Sequence, residues 1–328
     1  MGNKVYYNEI NVARAIGIIM VVLFHSSGPN TYILNYVKDI CNTIQMPLFF
    51  FLSGFVAFKI RNINSKEEYF ILIKSKFKRL LGPYLFLGVL LFLPKLLMNK
   101  YAVVKIDPNS FLYDLLVLGN NPITFLWFLY VLFMIFVIYS NLIRKSSLIT
   151  FFINLILYIA MKKYNINIQI FRISTIIHYA NYFILGFISF KYYDYIKAKY
   201  EKTIGIISIS LLLSFLLLLK INIYGISFIH ILIVFIGING VLAASIYLSK
   251  SRFEKILVDI GNYSYDIYLL SWFGQNIVRI LAQIVGISLN SWIVFVGMFV
   301  GGISVMFISK YIFRKNRITN NYILGNTI

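Results

Sequence analysis

The chain is short of charge, of acid and of cysteine. Only 13% of its 328 residues are charged, about half the share expected of a soluble domain. That shortage rules out a soluble domain of appreciable size. Asp and Glu number 11 against 31 Lys and Arg, a formal net charge of +20. The lone cysteine, Cys41, excludes an internal disulfide and a cysteine-based metal site. No metal is expected. The first apolar segment has no small-residue cleavage site and contains Arg14, so no cleavable signal peptide is expected.

Apolar residues make up 60% of the chain, with 30 Phe and 25 Tyr, and mean hydropathy is +0.80. The apolar runs are continuous rather than alternating, which disfavours a β-barrel. The reading is an all-α, polytopic integral membrane protein, one domain over 1–328, embedded in a lipid bilayer. Hydropathy places about ten transmembrane helices, at roughly 9–28, 40–60, 79–98, 122–143, 147–161, 175–192, 203–220, 226–248, 263–286 and 290–312. With the N-terminus inside, 21 Lys and Arg fall on cytoplasmic segments and 8 on external ones. This asymmetry predicts both termini in the cytoplasm. It also argues against nucleic acid as a partner, because the basic residues sit in short loops between spans.

Ionisable groups inside a span are costly, so each is a functional candidate. Arg14 and His25 lie eleven positions apart in the first span. Eleven steps of about 100° return to nearly the same helix face, roughly 16 Å further along. Arg14 is placed toward the inner face and His25 toward the outer end. Arg14 has a simpler reading as a snorkelling interfacial residue. The basic residues at 74–79 also serve as orientation determinants. In the ninth span Ser271, Gln275, Arg279 and Gln283 recur every four residues. Such a stripe should face the bundle interior or a wet cavity, as a site or as interhelical hydrogen-bond glue. Trp127 is expected near the outer face, as an aromatic-belt residue or as a sugar platform. At this point a transporter and a transmembrane group transferase fit equally well.

Several segments together resemble the acyltransferase family 3 membrane proteins, which include bacterial O-acetyltransferases of surface glycans. Arg14 and His25, with ten residues between them, match that family's leading arginine–histidine motif. Met46-Pro47-Leu48-Phe49-Phe50-Phe51-Leu52-Ser53-Gly54-Phe55 matches its second-span signature. Lys78-Arg79-Leu80-Leu81-Gly82-Pro83-Tyr84 is similar to its basic entry to the third span. Leu126-Trp127-Phe128-Leu129, Tyr182-Phe183-Ile184-Leu185-Gly186 and Gly261-Asn262-Tyr263-Ser264-Tyr265-Asp266-Ile267-Tyr268-Leu269-Leu270 resemble later motifs in the same order. One departure is Ser271, where many members carry histidine.

The resemblance implies acyl-CoA-dependent O-acylation, acetyl-CoA being the first candidate donor, of a hydroxyl on a cell-surface glycan or its precursor. It also implies a bacterial inner or plasma membrane. Arg14, Lys78 and Arg79 would contact the CoA phosphates, with the pantetheine arm running toward His25. His25 would act as general base or as nucleophile. Gln275, Arg279 and Trp127 are candidates for acceptor binding or oxyanion stabilisation. The rival is a glycan exporter without acyl transfer. The oligomeric state is left open.

Overall fold

The computed structural model describes residues 7–57, 65–97, 107–122, 124–198, 200–201 and 227–325. Every regular element among the described residues is helical. The elements are α1 Asn8–His25, α2 Tyr32–Ala57, α3 Lys66–Leu97, α4 Phe111–Leu116, α5 Trp127–Lys163, α6 Ile173–Lys191, α7 Ser227–Leu248, α8 Glu254–Asn262, α9 Ser264–Val285, α10 Trp292–Ile308 and α11 Arg317–Tyr322. Among the described residues, seven helices are long and apolar enough to cross a membrane. The expected span at 203–220 lies outside the described residues. The expected ninth span exists as the 22-residue α9, whose polar stripe keeps it out of those seven.

The described chain divides into two compact units. Met1–Phe55 with Ser189–Tyr311 form the first, and Val56–Ile188 with Ile312–Ile328 the second.

In the first unit α1 is the axis. Val12, Ala13, Ala15, Ile18 and Val22 are fully buried, and α7, α8, α9 and α10 all pack on this helix. Two of the approaches depend on glycine. A Cβ on Gly261 of α8 would lie 1.9 Å from the carbonyl oxygen of Asn11. One on Gly274 of α9 would lie 2.3 Å from the carbonyl oxygen of Gly301 in α10. In lipid, such close backbone packing substitutes for the hydrophobic drive that water supplies. On α2, Leu48 and Phe49 lie against Gly17 of α1. Asp266 is buried and accepts a hydrogen bond from the Ser309 hydroxyl.

In the second unit α3 starts thirteen residues before the expected span at 79. Ser65 caps it by accepting the backbone N–H of Glu68 at 3.1 Å. The helix widens to a π turn over Phe77–Leu81, closed by Gly82 N–H donating to the Phe77 carbonyl. Pro83 explains the widening: it has no N–H to offer the carbonyl of residue 79. The 107–122 segment is fastened to α3, with Tyr84 OH donating to the Leu115 carbonyl at 2.9 Å and Asn121 Nδ2 to the Tyr84 carbonyl at 2.8 Å.

Helix α5 is a folded pair rather than one rod. Ser146 is non-helical, at φ −158° and ψ 94°. Tyr139 donates to Asn154 across the bend, and Trp127 and Lys162 line one cavity at the far end. The two arms occupy the positions expected for the fourth and fifth spans.

Candidate active site

The last turn of α1 presents His25, and its backbone is held from three helices. A helix ends with carbonyls that lack an intrahelical partner. Here the Val22 carbonyl accepts Gln275 Nε2 of α9 at 2.9 Å and the Ser26 hydroxyl at 2.8 Å. Gln275 Nε2 also lies 3.1 Å from the Ser26 hydroxyl oxygen. Lys38 of α2 donates to the Ser26 carbonyl at 2.6 Å, and the Ser27 N–H points at the Met298 sulfur of α10 at 3.4 Å. A cation is favoured at this negative end of the helix dipole. Within this frame His25 is an exposed residue, with the Phe24 ring edge-on to its imidazole at 5.0 Å.

The other end of α1 is anchored by charge. Glu9 is buried, and its carboxylate accepts Tyr193 OH and Lys197 Nζ, both at 2.6 Å. Arg14, one turn above, is half-buried, and its Nη1 donates to Asn11 Oδ1 at 3.0 Å. Arg14 and His25 share a face, as the spacing predicts. Between them Ile18 is 0% exposed and Val21 5%.

The polar stripe of α9 divides in two. Ser271 and Gln275 are buried, whereas Arg279 and Gln283 are exposed. The reason is length. Gln275 already sits at the end of α1, so Arg279 lies a turn beyond the helix that covers its stripe-mates. The expectation of a wholly interior stripe holds only for its first half.

Lys78, Arg79 and Trp127 belong to the second unit. Lys78 and Arg79 are exposed on the π turn of α3, just before its apolar stretch. Phe77 meets the Phe133 ring at 6.0 Å and Lys76 Nζ sits 4.2 Å from the Phe136 ring centre. That level is about six residues, roughly 9 Å, along α5 from Trp127. Trp127 packs on Tyr179 at 5.3 Å and has the Arg172 guanidinium 6.0 Å from its ring centre. Both rings border a cavity of about 510 Å³ that Tyr158, Lys162 and His178 also line.

A profile described as an acyltransferase domain matches residues 7–311. The chain belongs to acyltransferase family 3. No curated protein and no solved structure gives a significant match. As a family 3 protein with seven apolar helices, it is a multi-pass membrane protein of the acyltransferase class. The family implies an acyl donor. Among the described residues no group of three or more His, Cys, Asp or Glu is placed to hold a metal.

Two parts of the frame around His25 escaped the sequence reading. Lys38 falls in the expected external loop after the first span, and Ser26 falls within that span with no role of its own. The signal was local: Ser26-Ser27-Gly28-Pro29 directly after His25 ends a helix, and a helix end needs donors. Arg172 was also missed, because nothing in its neighbouring sequence marks it as lining a cavity.

Proposed function

We propose that this family 3 protein transfers an acyl group, acetyl before longer chains, from acyl-CoA to a hydroxyl of a cell-surface glycan or its precursor. The observation that carries this is His25: an exposed residue on the last turn of a buried helix whose terminal backbone is fixed by Gln275, Lys38 and Ser26. A general base must be accessible and held still. In the proposed step the acceptor hydroxyl gives its proton to the His25 imidazole. Its oxygen bonds to the thioester carbonyl carbon, the carbon–sulfur bond breaks, and the proton passes to the departing CoA sulfur. A base role is preferred to a nucleophilic one because it needs no acyl-imidazole next to water.

Arg14 is assigned the CoA phosphates, since a guanidinium suits a phosphate oxygen pair. Lys78 and Arg79 stand in the second unit, exposed on a π turn of the kind that recurs at functional sites, and are assigned a phosphate-binding role there. The donor arrives from the cytoplasm and both termini lie there, as the basic loops favour. Gln275 acts by positioning, its amide being engaged with α1. Arg279 and Trp127 are assigned to the acceptor.

The test is acetyl transfer from labelled acetyl-CoA in membranes. His25→Ala should lower transfer at least about 100-fold, the usual contribution of a positioned base. Transfer at the unaltered rate removes the assignment. Arg14→Ala should raise KM for acetyl-CoA with less change in kcat; an unchanged KM counts against the phosphate role. Loss of glycan export with no CoA-dependent turnover in purified protein would favour the exporter reading.

A further inference from the structure

We propose that the cavity of the second unit binds an anionic sugar ring, through Trp127 and Tyr179 on its face and Arg172 and Lys162 on its charge. The cavity holds about 510 Å³, enough for a saccharide unit, and its walls combine aromatic faces, cations, asparagines and hydroxyls. No carboxylate is among its described lining residues. An aromatic ring offers a flat surface for the apolar face of a sugar, and Trp127 and Tyr179 stand 5.3 Å apart at 37°. Tyr158 and His178 form a second aromatic pair at 5.0 Å.

The cation in this site is built in. Arg172 Nε donates to the Gly119 carbonyl at 3.1 Å and Nη2 to Asn120 Oδ1 at 2.7 Å. Those bonds occupy two of its five N–H groups and fix the plane of the fork. The backbone is strained to place it. Asn165, Phe171 and Arg172 have φ of 50°, 51° and 53°, and they are the non-glycine residues of positive φ among those described. All three lie in the short connection between α5 and α6 that borders the cavity. Non-glycine residues persist there only when the surroundings over-determine them, and such strain gathers at ligand sites. Phe171 N–H is tied to the Val117 carbonyl at 2.7 Å, which holds the strained pair down.

This inference deepens the acceptor half of the proposed transfer and rests on that reading for what becomes of the sugar. Its test does not use acyl-CoA. Binding of methyl glucuronide, methyl glucoside and glycerol 3-phosphate to the purified protein in detergent is measured by calorimetry. The glucuronide should bind at least tenfold more tightly than either of the others. Equal binding of the glucoside overturns the anionic requirement. Equal binding of glycerol 3-phosphate overturns the sugar requirement and points to a lipid headgroup. Trp127→Ala should abolish glucuronide binding and Trp127→Phe should keep most of it. Arg172→Gln should remove the preference over the glucoside. Because Arg172 also braces the 119–120 turn, Lys162→Gln provides a variant that leaves the turn intact and should weaken the glucuronide severalfold; no change in either cation variant overturns the proposal. Absent binding with intact acyl transfer sinks the cavity assignment alone. Intact binding with no acyl transfer sinks the transfer alone.

Discussion

Gln275 makes its two hydrogen bonds to the turn that carries His25, one to the Val22 carbonyl and one to the Ser26 hydroxyl. It touches no reacting atom in this arrangement, so its effect on chemistry runs through the backbone beneath the imidazole. Gln275→Leu keeps the volume and removes both bonds, at a cost of about 0.5–1.5 kcal/mol each, since the Val22 carbonyl still accepts the Ser26 hydroxyl. We expect kcat to fall tenfold or more while KM for acetyl-CoA stays within a factor of two. A purely structural role would lower the amount of folded protein without splitting kcat from KM, and active-site titration separates these outcomes. At this scale the sequence was informative about spacing and silent about facing. The eleven-residue interval put Arg14 and His25 on one face, and they are there. The four-residue repeat of Ser271, Gln275, Arg279 and Gln283 was equally regular, yet half of it is exposed. A repeat defines a stripe; where the covering helix ends is set by another part of the chain.

The elements are positioned by glycines at helix crossings. The Cβ missing from Gly261 leaves room for the Asn11 carbonyl at the N-terminal end of α1, and nothing flexible stands in the way to yield. Gly261→Ala must push α8 off α1, and we expect a loss of about 3 kcal/mol or more, the upper range for overpacking. Gly286, at the end of α9, is a contrast: it has φ +78°, and a Cβ added there would meet no atom within 4 Å. Gly286→Ala should cost only the left-handed backbone penalty, about 1–2 kcal/mol. Thermal unfolding in detergent should rank the two in that order, and equal losses would mean that α8 is not seated on α1 as described. Element boundaries were partly legible. The bend at Ser146 falls where hydropathy separates the fourth and fifth spans. The start of α3 was missed because Lys66–Lys78 is too polar to read as a span. Its capping pattern, Ser65-Lys66-Glu67-Glu68, was nonetheless present in the chain. The π turn was not legible as such, although Pro83 removes a helical donor and so requires some local adjustment near residue 79.

At the scale of the whole molecule, charge is the feature that speaks to orientation. The ten-span reading puts most of the +20 excess on alternate loops, and the folded pair in α5 allows that reading to be tested within one unit. Arg144 and Lys145 stand at the bend, and Lys162, Lys163 and Arg172 stand at the opposite end with Asn167, beside the cavity. The two ends differ too little in charge to orient this unit alone; the excess of Lys and Arg on alternate segments of the whole chain places the bend on the cytoplasmic side, so the cavity should open outward. Cys41 is the single native thiol and is buried, which makes Cys41→Ala a suitable background for introduced cysteines. Both test positions are exposed. In intact cells a membrane-impermeant maleimide should label Asn167→Cys, and it should label Lys145→Cys only after the membrane is opened. The reverse pattern would place the cavity on the cytoplasmic side, the side from which the acyl donor is proposed to come. A donor and an acceptor entering from one side would need no passage through the membrane, and the exposed position of His25 at the far end of α1 from Arg14 would then lose its reason.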